Sequence, residues 1–412
     1  MKLLHTSDWH LGRNLYTKKR YEEFSQFLTW LVEQIKLYQP DALIVAGDIF
    51  DTTTPSNRAQ ELYYKFLCQV SSTTNCMNVI IIGGNHDSAS LLNAPQALLK
   101  QLNIYVIGHA SSNLADEVIE LKNIKQQIIG LVCAIPYLRD KDIRQLSEQE
   151  TAQQKDLLLM EAIRQHYQRV IDLANNRRQE LNLDIPLIAT GHLFVTGGKT
   201  LKDDGVRELY IGSLAQFGAN DFPRDIDYLA LGHLHSPQQI ANQAHWCYSG
   251  APLAMSFAEA KQTKVINLVE FEQRKAIVSH LPIPCFQRLE RISGDLTSLQ
   301  IKLAELVKLQ QSIWVEINYT GNEIIANLAQ ILHQMVENSS VELVKIINHQ
   351  LIDRVLSATN EFSGVELNDL TPEQVFAKCL ELNEIDLTQS EDLRLCFNEI
   401  LEQVAIDDAN AG

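Results

Sequence analysis

Five short clusters carry residues that could do chemistry together: Asp8-Trp9-His10, Gly47-Asp48-Ile49-Phe50-Asp51, Gly84-Asn85-His86-Asp87, Gly191-His192 and Gly232-His233-Leu234-His235. They supply carboxylate, amide and imidazole groups and no thiolate. Any one of them is ordinarily a turn, but a turn draws on Gly, Asn or Asp and has no use for imidazoles in four separate clusters. Mixed oxygen and nitrogen donors suit manganese, iron or zinc in a hydrolytic pair, whereas calcium or magnesium alone favours an all-oxygen shell. Two cations roughly 3.5 to 4 Å apart can clamp a phosphate for in-line attack, with about seven or eight protein donors between them. Asp8, His10, Asp48, Asn85, His192, His233 and His235 make seven. His86 directly follows Asn85, close to such metals yet free to protonate or stabilise a leaving oxygen. As its orienting partner, Asp51 is the first choice and Asp87 the second.

The elements that must hold these clusters are legible as short apolar runs ending in Gly, Ser, Asp or His. Lys2–Thr6, Ala42–Ala46, Val79–Ile82, Pro186–Thr190 and Tyr228–Leu231 read as buried strands. In an open α/β sheet ligand sites lie beyond the carboxyl ends of the strands, where all five clusters project. Between the runs, Lys18–Tyr38 places Phe24, Phe27, Leu28, Leu31 and Ile35 at helical spacing before Pro40, and a second helix is expected over Ala59–Val70. Thr151–Leu181 reads as a long, charged outer helix. Lys264–Phe271 and Ala276–Leu281 read as a strand pair, and Pro282-Ile283-Pro284 as a stiff extended linker. Beyond it Ile313–Tyr319 alternates like a strand, Glu323–Glu337 like a helix and Val341–Ile347 like a strand. Three parts follow: residues 1–283, an α/β domain; 284–356, a small α+β module; and 357–412, an acidic helical tail. In the tail, Thr371-Pro372-Glu373 opens one helix with Val375, Phe376, Cys379 and Leu380 on a face, and Glu391–Val404 forms another with Leu393, Cys396, Phe397, Ile400 and Leu401. These helices are expected to pack on each other or to dock on a partner.

The 412 residues are 45% hydrophobic and 21% charged, a globular balance that excludes a wholly disordered, collagenous or coiled-coil chain. A net charge of −16 argues against a basic coat for nucleic acid. The excess is local, since Arg291–Gly412 carries 7 basic and 20 acidic residues. No apolar run approaches the ~20 residues of a membrane span, and the opening MKLLHTSDWH lacks the apolar stretch of a signal peptide. Seven cysteines without a C-x-x-C pair indicate neither a disulfide framework nor a zinc ribbon, and fit a reducing cytoplasm. Gly198-Lys199-Thr200 resembles the end of a P-loop, but Leu193 stands where that motif needs glycine.

The clusters resemble the metallophosphoesterase (calcineurin-like) superfamily. Longer runs are similar to its SbcD family of bacterial nuclease subunits: HTSDWHLGR from His5, AGDIFDTTTPS from Ala46, GGNHDS from Gly83, GHLFVTGGKT from Gly191, YLALGHLH from Tyr228 and YSGAPLAMSFAE from Tyr248. The resemblance implies a β-sandwich flanked by helices. It implies one metal at Asp8, His10, Asp48 and His235 and a second at Asp48, Asn85, His192 and His233, with manganese the usual activator and His86 the catalytic histidine. It further implies 3′-to-5′ degradation of duplex ends, cutting of single strands and hairpins, and action in DNA repair and recombination. The implied partner is an SbcC-type ATPase with a long coiled coil, in an assembly containing two copies of this chain. The module after Pro284 then becomes a capping domain that selects DNA, and the tail a binding site for the coiled-coil base. Lys18, Lys19, Arg20, Arg13 and Arg58 are the candidate phosphate contacts. The Ser-Glu-Arg of the family is replaced here by Asp203-Asp204-Gly205-Val206-Arg207. The competing readings are a phosphoprotein phosphatase or cyclic-nucleotide phosphodiesterase of the same superfamily, and a non-catalytic scaffold for DNA ends.

Overall fold

The computed structural model describes residues 1–144, 151–198, 217–241, 243–321 and 327–348, together with residues 323, 325, 376 and 397. The chain divides into two compact units, Met1–Phe286 and Gln287–Gly412. In the first, strands β1 (Lys2–Thr6), β4 (Ala42–Ala46), β5 (Asn78–Ile82) and β6 (Ile104–Ile107) lie side by side in parallel, with a short hairpin of β2 (Asn14–Leu15) and β3 (Lys18–Lys19) between β1 and β4 in the chain. A second sheet is formed by β7 (Val118–Lys122), β8 (Ile128–Cys133), β9 (Leu187–His192), β10 (Tyr228–Gly232), β11 (Gln238–Ile240) and β12 (Gln243–Tyr248). Here β8, β9, β10 and β12 are mutually parallel, and β7 and β11 close the edges antiparallel. The antiparallel pair β13 (Val265–Glu272) and β14 (Lys275–Pro282) extends the first sheet beyond β1.

The two sheets pack face to face. Leu3, Ile44, Ala46, Ile80 and Ile82 of the first meet Val132, Ile188, Tyr228 and Ala230 of the second. The outer face of the first sheet, through Leu43, Val45, Val79 and Ile81, is covered by helices Tyr21–Tyr38 and Asn57–Thr73. Helix Ala152–Leu181 covers the second through Ile163, Tyr167, Val170 and Ala174. Because the central strands are buried on both faces, their positions are mostly apolar, so they read in the sequence as hydrophobic runs. The result is the helix-flanked α/β sandwich.

Three expectations change. The first helix begins at Tyr21, because Lys18 and Lys19 pair with Leu15 and Asn14 in the hairpin. Pro282-Ile283-Pro284 is no free linker: Pro282 is the last residue of β14, Ile283 N donates to Lys264 O at 2.8 Å, and the Ile283 side chain joins the core. Helix Leu328–Val336 starts after residue 323.

In the second unit β15 (Arg288–Gly294), β16 (Ile313–Tyr319) and β17 (Val341–Asn348) form a parallel sheet in chain order. Helices Leu296–Lys308 and Leu328–Val336 supply its crossovers and bury Leu299, Leu303, Leu328 and Leu332 against Val315 and Ile317. Asp295 caps the first of them by accepting from Ser298 N at 2.8 Å. Of the two tail helices, Phe376 and Phe397 are described; both are helical and their rings stack at 4.0 Å. Thr371, Val375, Cys379, Leu380, Leu393 and Cys396 lie outside the described residues, as do Lys199, Thr200 and Asp203–Arg207.

A polar group sits in the middle of this apolar sandwich. His5, in β1, places Nδ1 2.8 Å from the hydroxyl of Tyr228, across the interface between the sheets. Burial lowers its pKa from the ordinary 6.5 to about 3, so the ring is held neutral. An unfolded chain takes a proton there that the folded chain refuses, so stability is lost as pH falls below 6.5 and continues to fall toward 3. Urea midpoints measured from pH 7 to 5 are expected to fall less steeply for His5→Gln than for the parent; equal slopes would remove His5 from the acid sensitivity.

Candidate metal centre

The five clusters come together because their strands are neighbours pointing the same way. Asp8 and His10 follow β1, Asp48 follows β4, and Asn85 and His86 follow β5, which are adjacent parallel strands. His192 ends β9, and His233 and His235 follow its parallel neighbour β10, in which Gly232 pairs with His192. One end of the sandwich therefore receives donors from both sheets.

The backbone at these strand ends is unusual. Asp8, His10, Asp48 and His233 all have positive φ, at 53°, 48°, 50° and 100°, a region that costs side-chain-bearing residues energy and persists where surroundings impose it. The imposing bonds are visible. Asp8 N donates to Gly47 O at 3.0 Å and His10 N to Asp48 O at 2.9 Å. The carboxylates also hold the opposite turns, with Asp8 Oδ1 accepting from His233 N and Asp48 Oδ1 from His86 N, each at 2.9 Å. Ser7 Oγ donates to Asp8 Oδ2 at 2.5 Å and lies 2.8 Å from Ser249 Oγ; both serines stand within the longer family-like runs, although neither is among the expected site residues. Glycine is required where chains pass closest: a Cβ on Gly84 would lie 2.1 Å from Asp48 Oδ1, and one on Gly232 1.9 Å from Ala46 O.

The side chains converge. Asp8, His10 and His235 offer donor atoms within 4.8 Å of one another, as do Asp8, Asp48 and His192, and His10, Asp48 and His86. His10 Nε2 faces His235 Nε2 at 3.2 Å, and His192 Nε2 lies 3.3 Å from Asp48 Oδ2. Asn85 Oδ1 is 3.0 Å from His192 Nε2 and 3.1 Å from His233 Nδ1, while its buried Nδ2 has no hydrogen-bond partner. An amide that turns its oxygen to the cluster and leaves its N–H groups unused, and two ring nitrogens aimed at each other, form a donor set that fits cations of the manganese, iron or zinc type. His192 is oriented by its Nδ1, 2.9 Å from Ala46 O.

Charge in the cluster is strongly perturbed. Burial pushes the Asp8 carboxyl up to about 6, opposed by His192 and reinforced by Asp48. Burial also opposes charge on Asp48, but His192, His10 and His86 outweigh it and hold that carboxyl well below its usual range. Against its own burial, His192 is raised to about 9 by Asp48 and Asp8. Burial and the charge on His192 press His233 down to about 3.

Of the two expected partners of His86, Asp51 meets it, through the main chain, and Asp87 does not. The His86 Nδ1 lies 2.8 Å from the main-chain carbonyl of Asp51. The Asp51 carboxylate turns instead to His10 Nδ1 at 3.3 Å and Arg13 Nη1 at 3.1 Å. The Asp87 carboxylate is consumed by main-chain donors, accepting from Gly84 N at 2.8 Å, Phe50 N at 2.9 Å and Ile49 N at 3.1 Å, and so ties two of the clusters together. Among the basic candidates, Arg20 is buried, forked onto Glu23 at 2.7 and 2.8 Å and bonded to Ala254 O at 2.7 Å, so it is withdrawn as a phosphate contact. Lys19 is exposed and Lys18 half-buried on the hairpin, and Arg58 is an exposed partner of Glu61.

A cation entering this cluster must displace the proton on His192, because a ligating imidazole is neutral. Manganese affinity is therefore expected to rise with pH from 6 toward 9, the value to which His192 is raised. Titration calorimetry in buffers of different ionisation enthalpy at pH 7 should read net proton release, and none would contradict the charge assignment.

Comparisons with known proteins agree with the geometry. Residues 1–237 match the family described as calcineurin-like phosphoesterase, and residues 285–384 one described as type 5 capsule protein repressor C-terminal domain. The chain is 35% identical over 409 residues, 98% of its length and 99% of the relative's, to the SbcD subunit of the nuclease SbcCD from Escherichia coli (strain K12). It is 33% identical to the protein of the same name from Rhodobacter capsulatus over 69% of each chain. With that from Staphylococcus epidermidis it shares 27% over 98% of this chain and 100% of that one. This chain belongs to the calcineurin-like phosphoesterases and, within them, to the SbcD family of SbcCD nuclease subunits.

Proposed function

We propose that this chain is the metal-dependent nuclease subunit of a DNA-end-processing complex, hydrolysing phosphodiester bonds. The observation that carries the reading is the convergence of Asp8, His10, Asp48, His192 and His235 donors in a chain that matches nuclease subunits along nearly its whole length. Asp8, His10, Asp48 and His235 hold one divalent cation and Asp48, Asn85, His192 and His233 the other, with manganese the proposed metal. When bound, the two cations supply the positive charge that neutralises a phosphate and acidifies water.

The remaining work falls to the chain's own groups. Asp48 lies between the two donor sets and keeps its negative charge, because His192 and His10 flank it. The Asp51 carbonyl accepts from His86 Nδ1–H, which leaves Nε2 to face the substrate and, when protonated, to give its proton to the departing sugar oxygen. Asp51 and Asp87 support the site without touching substrate: Asp51 steadies His10 and Arg13, and Asp87 fixes the turn that carries His86. Lys18 and Lys19 on the hairpin, with Arg13 and Arg58, are the candidate contacts to DNA phosphates.

The activities that fit are 3′-to-5′ digestion of duplex ends and endonucleolytic cutting of single strands and hairpins, in repair and recombination in the cytoplasm. An SbcC-type ATPase is the proposed partner, bound by the acidic tail, with two nuclease subunits in the assembly and residues 284–356 selecting the DNA. The net charge of −16 fits weak DNA binding by this chain alone. With manganese, the purified chain and the chain with its partner and ATP are expected to cut an end-labelled duplex and a hairpin. His86→Ala should lower cutting by about 10²-fold or more while manganese binding persists. Hydrolysis of a simple phosphodiester without cutting of either DNA under any condition would replace the nuclease by a small-substrate phosphodiesterase.

A further inference from the structure

Two imidazoles of the cluster are backed in the same way, by a carboxylate that is itself tied to a cation. Behind His10 stands Asp51, 3.3 Å from its Nδ1 and itself paired with Arg13 at 3.1 Å. Behind His235 stand Glu259 and Lys264. Glu259 Oε1 lies 3.9 Å from His235 Nδ1, and its Oε2 is ion-paired with Lys264 Nζ. Glu259 is wholly buried and Lys264 nearly so. Lys264 Nζ also donates to the main-chain carbonyl of His235 at 3.1 Å, which in turn accepts from Ala251 N at 3.1 Å. Met255 N donates to Glu259 Oε2 at 3.2 Å. The segment 251–264 therefore grips His235 at its backbone and places a carboxylate beside its ring.

Stability alone does not explain such a pair. The attraction between two buried charges offsets their desolvation poorly, and apolar residues of the same volume hold a fold as well or better. The direction of the ring supplies the reason. His235 turns Nε2 into the cluster, 3.2 Å from His10 Nε2, so its remaining proton belongs on Nδ1, the side that Glu259 occupies. At 3.9 Å this carboxylate is not hydrogen-bonded to the ring, but its charge on that side favours that tautomer and makes the opposite nitrogen a stronger donor.

We infer that Glu259, held in place by Lys264, is a positioning residue that fixes His235 as an Nε2 donor to the metal. The inference deepens the proposed metal centre and rests on it. Glu259→Gln is expected to weaken manganese binding by about 10- to 100-fold, the usual cost of losing a carboxylate behind a ligating imidazole. The binding is read by calorimetry on the full chain without DNA. In cleavage assays the manganese concentration for half activation should rise by a similar factor, while the rate at saturating manganese stays within a few-fold of the parent. Glu259→Asp should recover part of the affinity. The double variant Glu259→Gln, Lys264→Met leaves no charge unpaired, so it decides the matter if the single variant does not fold. Parental manganese affinity in either folded variant would overturn the inference. Because binding is measured without DNA, weakened binding in a chain that cuts no DNA would sink the nuclease reading and leave this assignment standing.

Discussion

Two carboxylates and four imidazoles, those of Asp8, Asp48, His10, His192, His233 and His235, are buried within a few ångströms of one another, and that crowding is the constraint the rest of the first unit serves. Bare, such a cluster must share protons among groups that desolvation prefers neutral. The carboxyl of Asp8 pushed up and that of Asp48 pulled down show the strain divided unequally. The surrounding backbone does not relax it. Left-handed residues at three strand ends, and an Asp8 carboxylate that accepts a main-chain N–H from the opposite sheet, lock the donors facing inward. The apolar sandwich beneath supplies the rigidity that keeps them there.

The sheet architecture is what lets so few residues do this. Parallel strands all present their carboxyl ends at one edge, so neighbouring β1, β4 and β5 deliver three clusters without any long loop. The second sheet, with β9 beside β10, delivers the other two from across the sandwich. Helices cover both outer faces of the sandwich.

Much of this was legible in the residues. Double-sided burial writes central strands as plain apolar runs, and Asp48, Asn85 and His192 are conspicuous because imidazole, amide and carboxylate follow such runs where turns need only small residues. The edge strands β7 and β11 escaped because one exposed face breaks the run into weak alternation. The hairpin of Lys18 and Lys19 escaped because two-residue strands carry no period. Pairings behind the donors were the least legible. Asp51 lies three residues from Asp48 and was assigned to His86 by proximity in sequence, yet its side chain turns to His10 while its carbonyl serves His86. Which atom of a residue acts is a matter of backbone direction, and no spacing rule records it. Arg20 likewise looks like part of a basic run until Glu23, one helical turn on, claims it.

The contact between His10 and His235 joins residues 225 positions apart. Such a bond needs both sheets in place, because its two residues are carried by strands of different sheets. The donor cluster therefore depends on the whole sandwich beneath it. Any slack at the sandwich interface, even far from the donors, is transmitted to their spacing. Occupancy by a tight-binding cation would in turn act as a clasp on the whole unit, drawing the folding equilibrium by mass action, so that maturation of the chain is tied to the supply of free metal around it.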